Sequence, residues 1–179
     1  MNFKFTDEEQ DVLNMLHDFC EKEVGPLAAE IDEQERFPEE TWHKLADMGV
    51  MGMAYPEEVG GAGMSYLCYI AAVEEISKYC ATTGTMFSAH SSLCTWPIFA
   101  FGTDEQKKKY LPGLCSGEKL GAFALTEPGA GTDSAMQRTV AVDKGDHWLL
   151  NGNKVFITNS GYASVYVVFA MTDKSKGTH

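Results

Sequence analysis

The hydrophobic period of this chain changes once, near residue 120, and that change limits what it can fold into. Before it, apolar residues recur at three- and four-residue spacing; after it, short apolar runs alternate with Gly, Asn and Asp turns. The expected organisation is α+β: an amino-terminal α-helical domain over 1–120, then the start of an antiparallel β-domain over 121–179.

Local signals place the helices. Thr6 with Glu9 makes a capping box, and Val12, Leu13, Leu16, Phe19 and Cys20 form an apolar stripe expected to end near Pro26. A second helix is expected to start at Pro38, carry Trp42, Leu45 and Met48 inward and stop at Gly49. Gly60–Gly63 reads as a loop and Ser65 as the cap of a third helix through Lys78. Ala81–Gly102 contains no Asp, Glu, Lys or Arg, so it is expected to be buried on most sides, with Pro97 disturbing its end. It is core or, with its small residues, the wall of an apolar ligand cavity. Thr103 and Gln106 make a second capping box, for a short helix ended by Pro112-Gly113, with Lys107–Lys109 matching the dipole at its carboxyl end.

Composition removes several function classes. Net charge is −12, and residues 1–60 hold all of that excess, with 16 acidic and 4 basic residues. No basic stripe is left for nucleic acid, and the acidity reads as a solvated helix face. The five cysteines make no C-x-x-C pair and the five histidines no ligand spacing, so reduced thiols and no metal site are expected. With no run of about 18 apolar residues and no apolar signal core, a cytoplasmic protein without a membrane span is expected.

In the β-rich part, Asn151-Gly152 between apolar runs signals a hairpin that pairs Trp148–Leu150 with Val155–Thr158, and Val165–Met171 adds a further antiparallel strand. Alternation would then put Phe156 and Thr158 on one face, an aromatic ring beside a hydroxyl that could meet a flat heterocycle. Upstream, a strand enters the Pro128-Gly-Ala-Gly131 turn, with Thr126, Thr132 and Asp133 clustered about it. Gly129 and Gly131 permit close approach of a ligand to backbone amides, yet an ordinary glycine turn and ordinary core remain open readings of both segments. The pattern is not G-x-G-x-x-G and no βαβ unit surrounds it, which argues against a Rossmann site.

Taken together, Thr126-Glu-Pro-Gly-Ala-Gly-Thr-Asp133 and Val155-Phe-Ile-Thr-Asn159 resemble the flavin-binding signatures of the acyl-CoA dehydrogenases, in the style of the bacterial short-chain, butyryl-CoA-type enzymes. Pro56–Gly63 and Phe101–Tyr110 extend the resemblance through the helical part. It implies FAD as cofactor, with Phe123, Leu125 and Thr126 edging the flavin ring. Gly131 would belong to the cofactor-binding set, and Thr132 would lie near the pyrophosphate and the bound acyl-CoA. Phe156 would lie against the flavin with Ile157 beside it, and Thr158 near the atom that receives hydride. Thr132 stands where Ser is commoner and Phe156 where Trp is usual, losing an indole donor.

The resemblance further implies α,β-dehydrogenation of a short-chain acyl-CoA, electron transfer to an electron-transferring flavoprotein, and a homotetramer. A sister flavoenzyme such as an acyl-CoA oxidase, or a non-catalytic binding or oligomerisation module, are the alternatives. Family members are about twice this length, with a carboxyl-terminal helical bundle and a catalytic Glu that no residue here matches. The chain is therefore expected to be the front portion of such an enzyme, inactive alone, with no catalytic residue assigned and Glu127 read as part of the flavin loop.

Overall fold

The structure, a computed structural model, describes residues 3–176. Helix α1 (Asp7–Phe19) starts at the Thr6–Glu9 capping box, both of whose hydrogen bonds form. Leu16 and Cys20 are buried, and Val12, Leu13 and Phe19 pack against the same core. The stripe does not end near Pro26. Cys20–Val24 winds as a π turn in which the Gly25 N–H reaches the Cys20 carbonyl, so Pro26 falls in the first turn of α2 (Gly25–Glu33), where its missing N–H costs nothing.

Helix α3 (Glu39–Asp47) follows Pro38, buries Trp42 and Leu45, and stops where Gly49 adopts φ 72°. Ser65 caps α4 (Tyr66–Tyr79) by accepting from the Cys68 N–H. The charge-poor segment becomes α5 (Ala81–Ser88), a second π turn over Ala89–Thr95, and α6 (Trp96–Phe101). The device at Pro97 repeats that at Pro26: the Trp96 N–H bonds the Ser91 carbonyl. Most residues of Thr83–Thr95 are buried, but Thr85 and Leu93 are exposed, and burial fails beyond Thr95, where Trp96 is 41% and Phe101 78% exposed.

Helix α7 (Asp104–Cys115) starts at the Thr103–Gln106 box but runs through Pro112, held by the buried Leu111, Leu114 and Cys115. Lys107–Lys109 therefore lie in its first half, and its last turn has no basic residue, so complementing the helix dipole is not their role. The Lys107 and Lys109 ammonium groups lie 5.8 Å and 5.0 Å from the rings of Phe99 and Tyr110.

Four short strands follow: β1 (Gly121–Ala124), β2 (Val140–Asp143), β3 (Trp148–Asn151) and β4 (Val165–Val168). The antiparallel hairpin joins β2 to β3, turning at Gly145 with φ 93°, not at Asn151-Gly152. Gly152 instead serves close approach: a Cβ there would meet Thr139 Oγ1 at 2.3 Å. Val155–Thr158 forms no strand, and β4 pairs with β1 in parallel, Gly121 opposite Val165. The long connection between those two strands, hairpin included, permits the parallel pairing.

Strand β1 lies along the Ala89–Thr95 turn, and Gly121 is gripped there. Its N–H donates to His90 Nδ1 (3.0 Å), while His90 Nε2 donates to the Leu114 carbonyl (3.1 Å). A Cβ on Gly121 would stand 2.5 Å from Cys94 Cβ. All five cysteines are free and buried, and burial raises Cys20 to about 12 and Cys68, Cys94 and Cys115 to about 11. Among the described residues no helix is long and apolar enough to cross a membrane, and no three His, Cys, Asp or Glu side chains group to hold a metal ion.

His90 is fully buried, and burial lowers its pKa from 6.5 to about 4, against a smaller opposing effect of its bond to Leu114. The unfolded chain thus binds a proton that the folded chain refuses between those values. Stability is full above about pH 6.5 and falls as pH drops toward 4, by about 2 kcal/mol between pH 7 and pH 5. His17, raised mainly by its hydrogen bond to Glu75, works in the opposite direction but is solvent-screened. Urea unfolding at the two pH values checks this: His90→Gln should be less stable at pH 7 and should lose most of the pH dependence.

Candidate flavin-facing site

The chain beyond β1 makes a tight turn. Glu127 and Ala130 exchange two backbone hydrogen bonds of 3.0 and 3.1 Å around Pro128-Gly129. The Glu127 side chain points inward, accepting from the Arg138 N–H (2.6 Å), the Thr139 N–H (2.9 Å) and Lys154 Nζ (2.9 Å). Burial alone would raise its pKa, but hydrogen bonds from Thr139, Lys154 and the Arg138 amide outweigh it and hold the carboxyl at about 2. Such a carboxylate is a poor proton acceptor at neutral pH. Its geometry is that of a tie for the turn, not of a base.

Lys154 reaches past Glu127 to donate to the Leu125 carbonyl (2.8 Å), and the Val155 N–H donates to the Thr126 carbonyl (3.0 Å). These bonds bring the two motif segments side by side. Phe156 follows with φ 57° and is 92% exposed, a costly backbone conformation for an aromatic residue. Ile157 is half-buried and Thr158 exposed. Phe156 and Thr158 are thus both exposed, on a loop and not on a strand. Thr158 borders a cleft of about 270 Å³ shared with Gly84, Thr85, Ser88 and Leu93 of the charge-poor helices.

Phe123 is half-buried on β1 with its ring edge-on to Phe169 at 5.1 Å, and Leu125 and Thr126 are half-buried just beyond. Gly131 and Thr132 stand on the far side of the Pro128-Gly129 turn, both exposed. Among the described residues Thr132 makes no hydrogen bond to the 156–158 loop. A Cβ at Gly129 or Gly131 would meet nothing within 4 Å, so this rim is open. An exposed aromatic ring, neighbouring hydroxyls and an unobstructed glycine turn fit a planar heterocycle carrying a phosphate tail.

Three residues that hold these segments in place escaped the sequence reading. Lys154 directly precedes the Val155–Asn159 segment, but nothing in one sequence marks a lysine as largely enclosed. Asn159 is buried at φ 69° and donates to the carbonyls of Met86 (3.1 Å) and Gly121 (3.0 Å). His90 had a visible signal: it is the only ionisable group of the Asp, Glu, Lys, Arg, Cys, His and Tyr types between Ala81 and Leu93.

The acyl-CoA dehydrogenase N-terminal domain family model matches residues 6–118, and the acyl-CoA dehydrogenase middle domain model matches residues 122–179. The chain belongs to the acyl-CoA dehydrogenase family. It is 56% identical over 178 residues to the short-chain specific acyl-CoA dehydrogenase of Clostridium acetobutylicum, covering 99% of this chain and 47% of that protein. The structure of butyryl-CoA dehydrogenase from Megasphaera elsdenii superposes with a TM-score of 0.95 at 48% identity, covering 100% of this chain and 48% of that one. A glutaryl-CoA dehydrogenase from Mycobacterium smegmatis in complex with FADH2 matches at TM-score 0.88 and 32% identity, covering 94% of this chain and 44% of that one. The chain spans about half the length of the relatives it matches.

Removing one partner of the Glu127–Lys154 pair leaves a buried charge. Lys154→Met should cost about 3 kcal/mol in urea unfolding, and Glu127→Gln with Lys154→Met should recover most of it. Because the Glu127 pKa is depressed, its contribution is present above about pH 4.5 and lost as pH falls toward about 2. The double variant should lack that acid-dependent loss.

Proposed function

We propose that this chain is the flavin-facing front portion of an FAD-dependent dehydrogenase that converts short-chain acyl-CoA to trans-2-enoyl-CoA. The carrying observation is the hydrogen-bonded junction of Leu125–Thr126 with Lys154–Val155, which presents Phe156 and Thr158 beside the first motif segment. The helical domain spans 1–120 and the partial middle domain 121–179. FAD, when bound, supplies the acceptor for the substrate's β-hydride.

The chain's own residues bind and orient. Phe156 offers a face to the ring; Phe123, Leu125 and Ile157 border it; and Thr126 and Thr158 offer hydroxyls to its polar edge. Gly131 and Thr132 give an open rim for the pyrophosphate, with Thr132 also within the acyl-CoA path. The α-proton goes to a carboxylate elsewhere in the whole protein, since Glu127 is already committed to three donors. The whole protein is a cytoplasmic homotetramer that passes electrons to an electron-transferring flavoprotein. An oxidase of the same fold would differ in reacting rapidly with oxygen once reduced.

The full-length protein should carry visible flavin absorption that butyryl-CoA bleaches anaerobically and that returns slowly in air. Residues 1–179 alone should give no turnover with FAD and an artificial acceptor. Thr158→Val should slow flavin reduction roughly tenfold through loss of one hydrogen bond. A flavin-free full-length protein, or turnover by the 179-residue chain, would overturn the proposal.

A further inference from the structure

The segment from Val155 to Thr158 has little backbone support. Among the described residues, the Val155 N–H to Thr126 carbonyl is the one backbone hydrogen bond joining it to the β1 segment. Its position is fixed instead by the side chains that flank it. Lys154 Nζ donates to the Leu125 carbonyl (2.8 Å) and to Glu127 (2.9 Å). Asn159 Nδ2 donates to the carbonyls of Gly121 (3.0 Å) and Met86 (3.1 Å).

Gly121 opens β1 and Leu125 lies just past its end, so the two anchors grip opposite ends of one strand. Asn159 is buried, 6% exposed, and Lys154 is half-buried with its side chain 12% exposed. Between them Phe156 holds φ 57°, and Asn159 itself holds φ 69°. Unusual backbone angles persist only where surrounding bonds over-determine them. The four side-chain bonds supply that determination.

We propose that Lys154 and Asn159 are positioning residues that brace the 155–158 loop along β1 and thereby set the pose of Phe156 and Thr158 against the flavin, without themselves touching the reacting atoms. This rests on the flavin reading above. It implies that the cofactor face is shaped before the cofactor arrives, because every anchoring bond is made within the chain.

The test uses the full-length protein and three variants: Lys154→Met, Asn159→Gly, which keeps the left-handed backbone accessible, and Glu127→Gln with Lys154→Met, which leaves no buried charge. Each is titrated with FAD, with the visible flavin spectrum recorded and amide exchange at Ile157 and Thr158 followed in the apoprotein. FAD should bind roughly tenfold more weakly in all three, with a shifted flavin spectrum and faster exchange in the loop. The double variant should stay weak in FAD binding although it regains stability. Wild-type affinity and spectrum in Asn159→Gly, or restoration of both in the double variant, would reduce the anchors to structural ties and overturn the proposal. If the wild-type protein binds no FAD, the flavin reading itself fails and this proposal falls with it.

Discussion

The docking of β1 and the 156–158 loop onto the helices hangs from one glycine. The Gly121 N–H is held by a neutral buried His90, its carbonyl by Asn159, and its α-carbon sits where any side chain would collide with Cys94. His90 carries the connection on to the end of α7 at Leu114, and Asn159 carries it to α5 at Met86. Three helical segments and the 156–158 loop are thereby indexed to the first residue of β1. Burying an imidazole without its charge is the condition for this grip, which makes the junction acid-sensitive while the exposed ion pairs around it matter little.

From that anchor the chain spends conformational strain at one end and recovers it at the other. Phe156 lies in a left-handed conformation and presents nearly all its ring to solvent, an arrangement that packing would not select. It persists because the desolvation of Lys154 and Glu127 is offset in a site where Lys154 also donates to the Leu125 carbonyl and Glu127 also accepts from two backbone amides. A buried pair of this kind adds little net stability over an apolar substitute. It gives a defined geometry to a loop that has no strand ladder of its own.

What the sequence revealed was what is encoded locally. Thr6, Ser65 and Thr103 cap helices through contacts three residues away, so they were legible, as was the change of period near residue 120. The errors share a cause. Pro26, Pro97 and Pro112 read as breaks, yet a π turn absorbs the first two and burial of Leu111 and Leu114 carries α7 past the third. Asn151-Gly152 has hairpin chemistry, but Gly152 is needed for its approach to Thr139, and the hairpin forms at Gly145 instead. The lysines of α7 were misplaced because the helix is longer than its proline allowed. At the site, the motif residues were visible as types, while the residues that hold them, His90, Lys154 and Asn159, act through burial that one sequence does not display.

In the proposed function, the two motif segments form one cofactor face, organised by β1. A crystal structure of the full-length protein with FAD tests it most directly. The expected result is a flavin ring against Phe156, its polar edge within hydrogen-bonding distance of Thr126 and Thr158, and the Val155–Thr126 and Lys154–Leu125 bonds intact. A flavin bound away from this face, or a loop rebuilt so that those bonds are broken, would contradict it.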